Sequence, residues 1–324
     1  MKQNRKSKAE TKTSSPAIGN TNVVCSTDLE GVTLLDLFSG AGGFAKGILD
    51  AGIRIEKHFF SEVNEDAIAN YKYNFKNSEY VGAIQDVRGI ERANIITFGS
   101  PCQNFSILRN QSGLDGDKSV LIKEAIRIVS EQRPNIFIWE NVKGAFSAND
   151  SKDFWAVIQE FANIGGYRLQ WQLCNTSWFL PQNRERIFLV GILDGCGNGV
   201  LPIKGEARID KVNDKVKAIS YTRDAKGKVL NYTKRGIFNT IHTSTGSGGN
   251  TDQFIYEYGL IRKMSIRECE KLQGFDMDWT KWGVYSGEKR KLNLTARRKL
   301  MGNAVTTNIV KEISTKILEN GINI

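Results

Sequence analysis

The sequence predicts an α/β fold on a doubly wound, mostly parallel sheet, with a small irregular domain inserted toward its C-terminal end. Three observations carry that prediction. Short apolar runs alternate with amphipathic stretches from Val32 to Ile192, a glycine turn at residues 40–43 follows the first run, and the alternation stops after Ile192. A buried strand followed by a helix, repeated, returns the chain each time to a parallel neighbour and leaves the sheet covered on both faces.

The elements follow in order. Residues 1–30 are polar, carry five Lys or Arg by position 12, and have neither a hydrophobic period nor the apolar core of a signal peptide, so a flexible basic tail is expected. VTLLDLF then predicts a strand and FAKGILDAG a helix; IEKHFFSEV and EDAIANYKYNF repeat the pair. NIITFGSP precedes a loop and the helical LIKEAIRIVSEQ, and NIFIWENV precedes DFWAVIQEFANIG. LQWQLCNT and RIFLVGI close a main domain over 31–192. Residues 193–263 are rich in Gly, Lys and Asn, with twelve Lys or Arg against seven Asp or Glu, and read as the second domain. Residues 264–324 are helical in pattern again and are expected to complete the main domain; they hold the clusters KRK (289–291) and RRK (297–299).

Composition narrows the function. Across 324 residues, 45 Lys or Arg against 35 Asp or Glu give a net charge of +10, which points to a polyanion, most simply nucleic acid. Two histidines exclude a His-rich metal site, and no metal is expected. Cysteines 25, 102, 174, 196 and 269 form no CxxC pair, which argues against a disulfide framework and structural zinc and fits a reducing, cytoplasmic setting. No eighteen apolar residues run together, so no membrane helix is expected.

The segment from Thr33 to Ala45 reads as strand, glycine turn and helix start. Gly40, Gly42 and Gly43 let the backbone turn tightly and approach a ligand. Glu62, 22 residues after Gly40 at the end of the next strand, is placed for a ribose, and Asp86 for an adenine amino group. Gly40-x-Gly42-x-x-Ala45 fits a dinucleotide fingerprint as well as an S-adenosylmethionine site, so the turn leaves both open.

Other strand ends carry the chemistry. Gly99-Ser-Pro-Cys-Gln-Asn-Phe-Ser106 follows the run 95–98, and in a parallel sheet that end faces the ligand crevice. Cys102 sits there in a polar loop, stiffened by Pro101, where a thiol near a helix start or basic group becomes a nucleophile. Trp139-Glu140-Asn141-Val142 places a carboxyl among apolar neighbours, which raises its pKa and suits a proton donor. In Gln182-Asn-Arg-Glu-Arg186, two arginines two residues apart project to one face of an extended chain and can hold a phosphate and a base carbonyl.

These motifs, in this order, resemble the cytosine-5 DNA methyltransferases of bacterial type, as do Arg267-Glu-Cys-x-x-Leu-Gln-Gly-Phe275 and Gly302-Asn-Ala-Val305; the likeness spans residues 33 to about 315. The resemblance implies a Rossmann-like methyltransferase fold with 193–263 as target-recognition domain. It implies that Cys102 attacks carbon 6 of a flipped-out cytosine in double-stranded DNA, Glu140 binds the ring nitrogen and amine, Arg186 the base carbonyl and Arg184 the neighbouring backbone. S-adenosylmethionine, converted to S-adenosylhomocysteine, is then the cofactor. Phe38 would lie on its adenine, Gly40, Ala41, Gly42 and Gly43 around its methionine part, Glu62 on the ribose and Asp86 on the adenine amine. Pro101, Leu121, Asn303 and Val305 would complete that pocket, with the C-terminal helix packed back onto the first strand. Ser106, Thr243, Gly248 and Gly249 would contact DNA.

Two departures stand out. Lys118-Ser119 replaces an Arg-Gly common in the family after the catalytic loop, losing a bidentate fork, and Val63 stands where an aromatic often follows the ribose-binding acid. A monomer is expected, with or without a cognate restriction endonuclease. The competing classes are a tRNA methyltransferase of a related branch, whose residues after Pro-Cys usually differ from Gln103-Asn-Phe-Ser106, and an idle DNA-binding regulator, against which the intact Cys102, Glu140 and arginine pair argue.

Overall fold

Strand β1 (Val32–Leu37) lies inside a seven-stranded sheet with β2 (Ile55–Ser61) on one side and β4 (Ile95–Gly99) on the other, both parallel to it. The computed structural model describes residues 31–100, 119–144, 152–205, 216–224, 227–233, 236–245 and 252–324. Beyond β2 comes β3 (Ser78–Tyr80); beyond β4 come β5 (Ile136–Val142), β8 (Glu185–Leu193) and β6 (Tyr167–Asn175). β8 runs antiparallel to both neighbours, so six strands share one direction and β8 alone is reversed. The chain leaves β1 for β2 on one side and later returns to β4 on the other. That switch of direction opens a crevice at the carboxyl ends of β1 and β4.

Alternation along the strands feeds two cores. Leu34, Ile95, Ile136 and Ile138 face one side, with α1 (Gly43–Asp50), α2 (Glu65–Asn74) and α7 (Thr307–Glu319); Leu35, Ile96, Phe137 and Trp139 face the other, with α3 (Ser119–Gln132) and α4 (Lys152–Asn163). The C-terminal helix, expected on the first strand, packs against α1: a Cβ on Gly47 would lie 2.5 Å from that of Val310.

Residues 216–263 are more regular than composition suggests. β9 (Val216–Asp224), β10 (Gly227–Tyr232), β12 (Gln253–Glu257) and β13 (Leu260–Lys263) form an antiparallel sheet in the order β10-β9-β12-β13. Short strands bounded by Gly, Asn and Lys look like loop by composition, although cross-strand pairing holds them. Val200 and Ile203 belong to the first core, so packing carries the main domain past the expected boundary at 193. A two-residue strand, β7 (Gln182–Asn183), pairs in parallel with β11 (Phe238–Asn239) and ties the inserted segment to the main domain. The chain finishes with α5 (Ile266–Leu272), a hairpin of β14 (Trp282–Tyr285) and β15 (Glu288–Lys291), then α6 (Leu294–Asn303) and α7. Cys174, Cys196 and Cys269 are buried, and Cys174 and Cys269 are free thiols.

One buried chain of polar groups underlies the crevice. Asp36 in β1 is fully buried and accepts from the hydroxyls of Tyr71 (2.9 Å) and Thr97 (2.8 Å), while His58 Nε2 meets the Tyr71 hydroxyl at 2.7 Å. Burial pushes the Asp36 carboxyl up to about 7, against the lowering effect of the two hydroxyls. The folded protein therefore keeps a proton that an unfolded Asp releases near pH ~4, so this group's contribution to stability is greatest below that pH and is lost as pH rises through about 7. Asp36→Asn is expected to abolish that decline: in urea melts at about pH 5 and about pH 8, wild type should lose stability relative to the variant. Parallel pH dependences would contradict the assignment.

Candidate active site

The turn after β1 divides its glycines between two tasks. Gly40 has φ +53°, and the nearest atom to an added Cβ is the Phe38 carbonyl oxygen at 3.9 Å, so its face toward the crevice is open. Gly42, at φ +80°, precedes α1, where a Cβ would lie 2.3 Å from the Phe75 ring; a Cβ on Gly43 would lie 2.6 Å from Val305. Gly42 and Gly43 thus allow helix packing. Val305 packs on Gly43, and Ala41 is buried with its carbonyl accepting from the Trp279 indole at 2.9 Å. Phe38 holds a left-handed φ of +51°, which a non-glycine residue adopts only under constraint.

Glu62, at the end of β2, joins two turns. Its Oε2 accepts from Gly40 N–H at 2.9 Å, and its Oε1 from the N–H groups of Val63 (2.8 Å) and Asn64 (3.0 Å). Three backbone donors therefore fix the carboxylate at the crevice wall. Asn64 caps α2, and Val63 is 73% exposed beside it. On the next turn, Ile84 and Gln85 reach the crevice, whereas Asp86 is exposed and does not line it.

The crevice is a cavity of about 1000 Å³. Phe38, Gly40, Glu62 and Leu121 line one part, Gly99, Ser100, Glu140 and Arg186 the middle, and Asn293, Lys299, Gly302 and Asn303 the side formed by α6. Register explains the middle: Gly99 in β4 pairs with Glu140 in β5, and a Cβ at 99 would sit 3.2 Å from Glu140 Oε2. Ser100 is buried and fixed by Trp139 Nε1 (3.0 Å) and Asn141 Nδ2 (3.3 Å), so the chain leaves β4 beside the Glu140 carboxyl. Pro101, Cys102 and Ser106 lie outside the described residues, as do Gly248 and Gly249.

Arg184 and Arg186 do different work. Arg186 Nε meets Glu140 Oε1 at 3.0 Å, and both side chains are largely buried. Desolvation raises the Glu140 pKa, while the charges of Arg186 and then Arg184 pull it back. Arg184 is only 2% exposed and donates to the carbonyls of Ile241 (3.0 Å), Gly302 (3.2 Å) and Ala304 (2.8 Å). Its guanidinium is therefore engaged with backbone, where the spacing had suggested a free phosphate grip. Gln182 adds to the same junction, accepting from Ile241 N–H and donating to the Leu272 carbonyl, both at 2.8 Å. Thr243 sits in the turn that follows, exposed, with its backbone N 2.3 Å from where a Gly302 Cβ would be.

Sequence reasoning missed Asn293, Thr295 and Lys299, which line the cavity from α6. An Asn cap before Leu294 was the available signal, since Asn293 accepts from Ala296 N–H and orients the first turn. It also read RRK 297–299 as one basic cluster. Arg297 is instead buried against Glu270 at 2.9 Å and Asp278 at 3.3 Å.

A parallel sheet with a single reversed strand, a glycine turn at its switch point and a carboxyl–arginine pair on the adjoining strands define a methyltransferase-type α/β enzyme. Solved structures share the fold: a putative DNA modification methyltransferase encoded within an E. coli prophage (TM-score 0.65, 17% identity, 90% of this chain and 99% of that one), and the S. pombe Dnmt2 methyltransferase (TM-score 0.64, 15% identity, 89% and 98%). The family model for C-5 cytosine-specific DNA methylase matches residues 32–218 and 198–319, and the chain belongs to that family. It is a DNA (cytosine-5)-methyltransferase. Among its relatives are the type II methyltransferase M.Bsp6I of Bacillus sp. (strain RFL6), 25% identical over 89% of this chain and 98% of the relative, and M.NgoFVII of Neisseria gonorrhoeae, 27% identical over 88% and 86%. Among the described residues there is no metal-binding group and no helix long and apolar enough to cross a membrane.

Proposed function

We propose that the chain transfers a methyl group from S-adenosylmethionine to carbon 5 of a flipped-out cytosine within a short double-stranded DNA sequence, as a modification or orphan methyltransferase. The observation that carries this reading is the Glu140–Arg186 pair facing Gly99, where β4 hands the chain to the Cys102 loop. The wall around the first turn fits the cofactor: Gly40 offers an open backbone, Glu62 a fixed carboxylate for ribose hydroxyls, and Phe38, Ile84 and Leu121 apolar faces for the adenine. Asn303 closes that wall, with Val305 supporting it from behind Gly43. Asp86 would reach the adenine amine only with a shift of its turn, whereas Gln85 beside it lines the cavity. When bound, S-adenosylmethionine supplies an electrophilic methyl group.

The protein's residues make carbon 5 receptive. The Cys102 sulfur adds to carbon 6 as the 5,6 double bond opens, and Glu140 gives its proton or hydrogen bond to the ring nitrogen where negative charge develops. Arg186 holds the base carbonyl and keeps Glu140 oriented; Arg184 fixes the junction behind it. Once carbon 5 is methylated, its proton passes to solvent, the 5,6 double bond re-forms with expulsion of the thiolate, and the ring nitrogen returns its proton to Glu140. A base stacked in duplex cannot enter this concave site, so the target leaves the helix at a cost of roughly a few kcal/mol. Thr243, with Ser106, Gly248 and Gly249, belongs to the DNA-facing side of this reading. With methyl-labelled cofactor, label is expected in plasmid DNA. Label in tRNA alone would overturn the DNA assignment.

A further inference from the structure

The hairpin before α6 carries a charge pattern that the methyl-transfer site leaves unused. Side chains alternate across its two strands, so the pairs Gly283–Arg290 and Tyr285–Glu288 share one face, and Trp282–Lys291 and Val284–Lys289 the other. The first face docks on α2: a Cβ on Gly283 would lie 2.9 Å from Ala69 Cβ, and the Tyr285 hydroxyl donates to Asp66 at 2.6 Å. The second face carries Trp282, Lys289 and Lys291 and meets α2 where Lys289 reaches Tyr73. There the Nζ atoms of Lys289 and Lys291 stand 4.5 and 5.5 Å from the Trp282 ring centroid, and Lys281 Nζ stands at 5.9 Å. Lys289 also lies over Tyr73, at 4.7 Å.

The acids nearby are already engaged. Asp278 takes Lys281 at 3.3 Å, along with Arg267 and Arg297, and Glu288 pairs with Arg290. Lys289 and Lys291 have no carboxylate within ion-pair distance among the described residues. Ammonium groups gathered around one indole repel one another, and exposed cation–π contacts hold them without neutralising them. A row of phosphates would neutralise them.

Position favours the same partner. Asp66, which Tyr285 touches, lines the active-site cavity, as does Asn293, two residues after Lys291. Tyr73 lies seven residues along α2 from Asp66, about 10 Å at 1.5 Å per residue. That spans about three nucleotides of one DNA strand. We propose that the Trp282–Lys289–Lys291 face grips the phosphate backbone of the duplex flanking the target site. The proposal rests on the duplex-DNA reading above and extends it to a second contact outside the recognition sequence.

The test uses the full chain, methyl-labelled cofactor and two duplexes holding the methylated sequence, one with about two flanking base pairs per side and one with about fifteen. Lys289→Glu/Lys291→Glu is expected to raise KM on the long duplex roughly tenfold at ~0.1 M salt, with kcat unchanged. The slope of log affinity against log salt should become shallower by about 1.8, for two lost phosphate contacts, and both changes should be smaller on the short duplex, which offers fewer flanking phosphates. Lys289→Arg/Lys291→Arg should keep the wild-type slope, which separates loss of charge from disturbed folding. An active wild type with a glutamate variant of identical slope and KM would overturn the hairpin proposal alone. A wild type inactive on both duplexes would overturn the duplex-DNA reading and this proposal with it.

Discussion

Glu140→Gln is expected to lower kcat for methyl transfer by about 10²–10³-fold while duplex binding changes little. Glutamine retains the size and a hydrogen-bonding amide, so the loss isolates the proton that the carboxyl supplies. Burial holds Glu140 above the usual carboxylate range, although Arg186 and Arg184 draw it down. Its protonated form therefore persists to higher pH than in an exposed glutamate, and a step that needs this form slows as pH rises through the raised value. The glutamine variant should lose that descending limb. The replacement also takes the anion from Arg186, whose Nε lies 3.0 Å from Glu140, so a thermal melt must accompany the kinetics. Single-turnover assays that found more than about a tenth of wild-type activity would remove Glu140 from the chemistry.

Arg184→Met is expected to destabilise the fold by roughly 4 kcal/mol, because side-chain volume is nearly kept while three carbonyls lose their donor in a buried setting. At ~2–4 °C per kcal/mol, the melting temperature should fall by roughly 10 °C. Activity should fall too, by a separate route. The released carbonyls belong to Ile241, just before the Thr243 turn, and to Gly302 and Ala304, which bracket the cavity-lining Asn303. Losing Arg184 thus loosens two walls at once, and kcat/KM should drop even below the melting range. A variant that melts with wild type would show that the junction is held by other contacts, Gln182 first among them.

The contrast between the two arginines marks what the sequence could convey. Period-two spacing puts Arg184 and Arg186 on one face of an extended chain, and both line the cavity. It could not separate their roles, because the partners of Arg184 lie 57, 118 and 120 residues further on. The same divide runs through the fold. Apolar runs revealed the strands and the double winding, since burial on both faces writes itself into composition. Strand direction leaves no such trace, and the reversal of β8 appears only in the pairing. The spacing of Glu62 from Gly40 is readable in the sequence, yet its three backbone bonds depend on how two turns meet. Gly42 and Gly43 looked like ligand-facing glycines because a close approach to a helix and to a ligand ask for the same residue. The sheet of residues 216–263 was least legible, its short strands being polar at their margins.

The central claim is that this chain methylates cytosine in DNA at a recurring short sequence through Cys102. Bisulfite sequencing of DNA from cells expressing the wild-type chain, beside cells expressing Cys102→Ala, tests it most directly. The expected result is a protected cytosine at one position of a short repeated motif in the wild-type DNA and none in the variant. Wild-type DNA without any such motif, or the same motif still protected in the variant, would contradict it.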